Sequence, residues 1–222
     1  MLDKGSSQLY VGLMSGTSAD SIDAALVDFA PNKPALIASY RHPFHNMLRD
    51  QIFDLFEPGN NEIDRVGELD RHLGQAFACA ALTLIQDAGY QPKHITAIGS
   101  HGQTIRHRPN RDSSSVFSLQ IGDPNTIAQE TGITTIADFR RRDIAAGGQG
   151  APLTPAFHKA FFISPNENRC ILNIGGIANI TYLPKTNPVL GFDTGPGNGL
   201  MDSWIRQYKG EGYGKDGKWS KD

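Results

Sequence analysis

LYVGLMSGTSADSIDAALVDF, residues 9–29, reads as two apolar runs joined by a turn of small and polar residues. The first run, 9–14, ends at Ser15 and Gly16, and the second spans 22–29. Runs this short, bounded by Gly, Ser and Asp, are strands rather than helices. A third apolar run at 35–40 extends them into an antiparallel meander. The pattern returns as CILNIGGIANITYL, residues 170–183: an apolar run, a Gly-Gly turn and another apolar run. A third strand is expected at 189–192 and a helix at 197–208. Any α/β chain has several glycine-bounded strands. Here the order of the elements repeats as well, which favours a duplication.

Between the copies lies a helical region. A helix is expected over 46–56, ended by Pro58 and Gly59. Ile63, Val66, Leu69, Leu73, Ala76, Phe77, Ala80 and Leu84 then step by three or four, which predicts a long helix over 62–88 with Gly89 at its C-terminus. Strands follow at 95–98, 119–122 and 133–137, and Asp123 with Pro124 opens a helix running to 130. The stretch 138–143 reads as a polar loop, and 152–162 as a helix. This is an α/β layer structure, expected as a complete first lobe over residues 1–165. Residues 166–222 are expected to open a second lobe of three strands and a helix. That lobe reads as incomplete, because 209–222 is polar and Gly-rich.

Composition narrows the function classes. Among 222 residues, 21 Lys and Arg face 23 Asp and Glu, a net charge of −2, so no basic footprint for nucleic acid is present. No apolar stretch is long enough to span a bilayer, and the first residues lack the apolar core of a secretory leader, so the cytoplasm is the expected compartment. The two cysteines, Cys79 and Cys170, read as small core residues, and no Cys/His spacing suits a metal.

Five segments concentrate chemistry. In Gly16-Thr17-Ser18-Ala19-Asp20-Ser21-Ile22-Asp23, small residues let backbone N–H groups and hydroxyls approach a phosphate, and Asp20 or Asp23 could hold Mg²⁺ or its water shell. An ordinary hairpin turn favours the same residues. Gly175 and Gly176 form the matching turn of the second copy, and the pair of turns makes phosphate binding the better explanation of both. Asp193, before Gly195-Pro196-Gly197-Asn198, is a candidate general base at a strand end facing a helix N-terminus; helix capping explains it equally well. His101 and Gln103, in a strand-end loop over 100–107, are candidates for reading sugar hydroxyls. Arg140, in the stretch 138–143, is a candidate partner for a carboxylate or phosphate, or simply part of a solvated charge cluster.

Taken together, the segments 12–18, 99–104, 137–141 with 147–153, 172–176 and 192–198 resemble the anhydro-N-acetylmuramic acid kinases, in that family's order. The resemblance implies a duplicated actin-like, ribonuclease H-like ATPase fold, with ATP and Mg²⁺ as cosubstrates. It implies a kinase that hydrolytically opens 1,6-anhydro-N-acetylmuramic acid and phosphorylates O6, in cytoplasmic peptidoglycan recycling. Within it, Asp193 is the base that activates water, residues 16–23 with Gly175 and Gly176 bind ATP, and His101, Gln103, Arg140 and Asn198 contact the sugar. Ser21 departs from the family's usual Gly, a small change. A homodimer is a candidate assembly for full-length relatives. Family members extend well beyond this length, so a catalytically inactive remnant or sugar-binding fragment is the competing expectation.

Overall fold

A computed structural model describes residues 8–30, 34–109 and 116–220. The reading of the first seven residues as lacking a secretory core lies outside them. The chain divides into two compact units, 1–150 and 151–222.

In the first unit, β1 (Leu9–Ser15), β2 (Ser21–Asp28) and β3 (Ala35–Pro43) form the expected antiparallel meander. After α1 (Asn46–Asp54) and α2 (Glu62–Asp87) come β4 (Ile95–Arg108), β5 (Phe117–Ile121), α3 (Pro124–Thr131), β6 (Thr135–Ala137) and α4 (Phe139–Ala145). The sheet order is β3-β2-β1-β4-β5, with β6 also paired to β4. The first half of β4 runs parallel to β1 and β6, and its second half pairs antiparallel with β5.

Period-two alternation sends Leu9, Val11 and Leu13 of β1 and Ile22, Ala24 and Leu26 of β2 to one face. Leu69, Leu73, Phe77, Ala80, Ala81 and Leu84 of α2 are buried with them in one core. Burying a side chain the size of Phe77 or Leu73 stabilises by about 1.5–3 kcal/mol, so this stripe is why α2 forms here. Gly89 ends α2 with φ +77°; its N–H donates to the Gln86 carbonyl and that of Tyr90 to the Ile85 carbonyl, closing a Schellman motif.

Two local expectations are corrected. The segment 100–107 is not a loop at a strand end but the continuation of β4, because β5 supplies it with backbone partners. The polar stretch after Asp138 is not a loop but α4.

In the second unit, α5 (Thr154–Phe162) precedes β7 (Arg169–Ile174), β8 (Ile177–Leu183) and β9 (Leu190–Pro196), followed by α6 (Asn198–Lys209). The strands form an antiparallel meander in the order β7-β8-β9, so the meander of the first unit is built again. The boundary expected after 165 falls instead at Gly150/Ala151. The physical reason is that α5 belongs to this sheet: buried His158 of α5 hydrogen-bonds Thr181 of β8 at 2.8 Å, and Pro155 fills the space beside Gly191 of β9. Both cysteines are exposed and free rather than core. Cys79 falls on the solvent side of α2, between Phe77 and Ala80, and Cys170 lies on the sparsely covered β7.

Candidate functional site

The first element of the site is the turn between β1 and β2. The N–H of Ala19 donates to the Gly16 carbonyl at 3.1 Å, which closes the turn. Thr17 and Ser18 are exposed on it, while Ala19 is buried with a left-handed φ of +48°. A side chain in that region is strained by roughly 1 kcal/mol or more, which a turn keeps only where its surroundings enforce it. The Asp20 carboxylate pairs with Arg49 at 2.8 Å and that of Asp23 with Arg41 at 3.1 Å, and no group of three potential metal ligands occurs among the described residues. Ile22 is a fully buried core residue, so only its backbone faces any ligand.

The second element is an open cavity of about 540 Å³ on the sheet face away from α2. Gly12, Met14, Asp23, Arg41, Gly99 and His101 line it, with Phe139 of α4. Arg140 reaches back from α4 to this wall. Its Nε donates to His101 Nε2 at 2.9 Å and its Nη1 to the Gly150 carbonyl at 3.2 Å. The other imidazole nitrogen of His101, Nδ1, stands 2.9 Å from the Gly102 carbonyl. With Nε2 accepting from an arginine, Nδ1 carries the proton, and the ring is neutral. Burial first, and then the charge of Arg140, hold its pKa below the ordinary histidine value, against the contact with the Gly102 carbonyl. Asp143 completes this corner by accepting from the Gly150 N–H at 2.8 Å.

The second unit carries its own polar group. Asn173 of β7 opposes Asn179 of β8, and Asn179 opposes Asp193 of β9. Directly opposed residues share a face, so the three form a polar row across the sheet. Asn179 Oδ1 is buried and has no hydrogen-bond partner among the described residues. Asp193 is exposed and sits within β9, which runs on to Pro196, rather than at a strand end as expected. The start of α6 docks on the 175–176 turn. The Asn198 N–H donates to the Gly175 carbonyl at 2.7 Å, and the N–H groups of Gly197 and Gly199 donate to the Gly176 carbonyl at 3.0 and 3.2 Å. A Cβ on Gly197 would lie 2.3 Å from the Gly175 carbonyl oxygen, so the approach requires glycine. These three donors are spent inside the protein.

The sequence pattern of the family described as "Anhydro-N-acetylmuramic acid kinase" matches residues 8–222. The chain belongs to this family. It is 58% identical over 213 residues to the anhydro-N-acetylmuramic acid kinase of Shewanella pealeana, covering 96% of this chain and 57% of that relative. It is 56% identical over 213 residues to that of Saccharophagus degradans, covering 96% and 57%. The chain therefore spans somewhat over half the length of the curated relatives it matches. Among solved structures, an Aquifex aeolicus member of the Ppx/GppA family is similar with a TM-score of 0.43 and 10% identity, covering 89% of this chain and 54% of that one.

Within this member of the anhydro-N-acetylmuramic acid kinase family, the structure groups Asp23 and His101 at one cavity and ties Arg140 to it. It groups Gly175, Gly176 and Asn198 at one turn, where the Asn198 side chain donates to the Ile174 carbonyl at 3.4 Å. Gln103 is not presented to a ligand: it is fully buried and bonded inside the first unit. Arg41, Asn173 and Asn179 were missed. Asn173 and Asn179 each interrupt an apolar strand run, which is the signal that could have found them; Arg41 gives none, because only the pairing of β2 with β3 brings it to Asp23.

Proposed function

We propose that the protein to which this chain belongs is an ATP-dependent kinase that opens 1,6-anhydro-N-acetylmuramic acid and phosphorylates the freed O6. The observation that carries this is the family match over residues 8–222 at 56–58% identity to named kinases, with Asp193 exposed in a polar row. Water attacks the anomeric carbon while the bond from that carbon to O6 breaks. Asp193 accepts the water proton as general base, and the exposed carboxylate is held by a strand paired on its β8 side. O6 then attacks the γ-phosphorus, the bond to the β-phosphate oxygen breaks, and ADP leaves with N-acetylmuramic acid 6-phosphate.

Phosphoryl transfer asks for positioning and charge stabilisation more than covalent help. The exposed hydroxyls of Thr17 and Ser18 and the backbone of the 16–20 turn suit the nucleotide's phosphates. Mg²⁺ is proposed to enter on the ATP phosphates. Asn198 and the His101–Arg140 pair are proposed to address the sugar. The reaction is proposed to belong to cytoplasmic recycling of cell-wall sugar.

The test is an assay of the protein expressed from its complete gene, with 1,6-anhydro-N-acetylmuramic acid, with and without ATP. The proposal expects ATP-dependent formation of the 6-phosphate. Ring opening that proceeds equally without ATP would instead identify an anhydrosugar hydrolase.

A further inference from the structure

β4 carries one residue more than β1 between the pairs Leu13–Ser100 and Ser15–Gln103. This is a β-bulge, and Gly102 sits in it with φ +73°. Ser100 is buried and faces the core, so strict alternation would bury residue 102 and turn residue 103 outward. The extra residue resets the alternation, and Gln103 turns inward and is fully buried. Both ends of its amide are engaged there. Oε1 accepts from Ser15 Oγ at 2.6 Å, and Nε2 donates to the carbonyls of Gly16 at 3.2 Å and Thr104 at 3.1 Å.

The Gly16 carbonyl is the same oxygen that receives the Ala19 N–H and closes the turn. One acceptor thus joins the turn to itself and to β4. Ala19 holds a left-handed backbone next to it, a conformation that relaxes if the closing bond is lost. We infer that Gln103 is the positioning residue of the 16–20 turn, a latch that sets the turn's backbone N–H groups before any ligand arrives. A turn can grip phosphate oxygens well only if its donors are fixed beforehand. The ligand half of this inference rests on the proposed reading of the turn as the nucleotide-phosphate site. Gln103 itself touches no ligand, and its effect passes through Gly16.

The test uses the ¹⁵N-labelled chain and two variants. Gln103→Met keeps length and volume but removes the amide; Ser15→Ala removes one hydrogen bond and leaves the amide in place. Hydrogen exchange at the Ala19 amide should accelerate about tenfold in Gln103→Met and less in Ser15→Ala, in line with one or two net hydrogen bonds. Exchange at core amides such as Leu26 should change far less, which a general loss of stability would not allow. Titration with ADP and with pyrophosphate should shift the Thr17 and Ser18 amides, with affinity about tenfold weaker in Gln103→Met. Unchanged exchange at Ala19 in both variants, or equal acceleration at every core amide, overturns the latch. If Ala19 responds as expected but neither probe shifts the turn even in the unaltered chain, the latch stands and the phosphate reading of the turn fails. Should Gln103→Met not fold, Ser15→Ala decides by the same exchange comparison.

Discussion

Replacing Gly102 by Ala should be among the most damaging single-methyl changes in the first unit. Gly102 has φ +73°, where an L side chain costs about 1–2 kcal/mol. A Cβ built there would lie 2.6 Å from the Ile121 carbonyl oxygen, well inside contact distance. That oxygen is backbone in β5 and cannot swing away as a side chain would. Overpacking of this kind costs roughly 1–3 kcal/mol more. Against these, alanine restricts the unfolded chain and returns about 0.4–1 kcal/mol. The net expectation is a loss of about 1–5 kcal/mol, a large share of the 5–15 kcal/mol typical of a domain. Gly67 is the control. It lies in α2, is exposed, has nothing within 4 Å of an added Cβ, and carries no left-handed φ. There the same substitution should stabilise by up to about 1 kcal/mol through helix propensity. Urea unfolding followed by far-ultraviolet circular dichroism measures both. If Gly102→Ala loses less than about 0.5 kcal/mol, or moves in the same direction as Gly67→Ala, the account of the bulge is wrong.

With the chain extended to the length of its relatives, Asp193→Asn should lower turnover by about two to four decades with little change in nucleotide affinity; near-normal turnover removes Asp193 as the base. Gly16→Ala should leave stability almost unchanged, because the added Cβ meets nothing nearer than Ser18 Oγ at 4.0 Å, yet weaken ADP binding measured by calorimetry. The folded-state pKa of His101 is depressed, so the unfolded chain binds its proton first as pH falls. Its contribution is fully present above about pH 6.5 and is lost as pH drops through the lowered folded value; His101→Gln should flatten that part of the stability–pH curve, with His42, shifted the same way, supplying the remainder. Leu172, Ile174, Ile177, Phe192, Met201 and Trp204 are all more than half exposed in the second unit, so sedimentation of the 222-residue chain should show association that rises with concentration.

The sequence by itself determined the α/β class, the two meanders and nearly every helix of the first unit. Each is written in local signals. Period-two runs mark β1 and β2, three- and four-residue steps mark α2, Gly89 ends α2, and Asp123 caps α3 through the N–H groups of Asn125 and Thr126. The family too was legible, because its segments are short and contiguous. Tertiary structure decided what those segments do. The polar run after Asp138 becomes a helix whose Arg140 finds His101 far back in the chain, and no local pattern encodes that pairing. Gln103 looks like a polar residue offered to a ligand until the register of β4 against β1 inserts a bulge and buries it. Asn173, Asn179 and Asp193 become one row only when three strands pair in a particular register. Periodicity tells a strand from a helix and gives the spacing of its faces. Which residue stands opposite which is set by hydrogen bonding between distant segments, and that register is where this protein's candidate site is made.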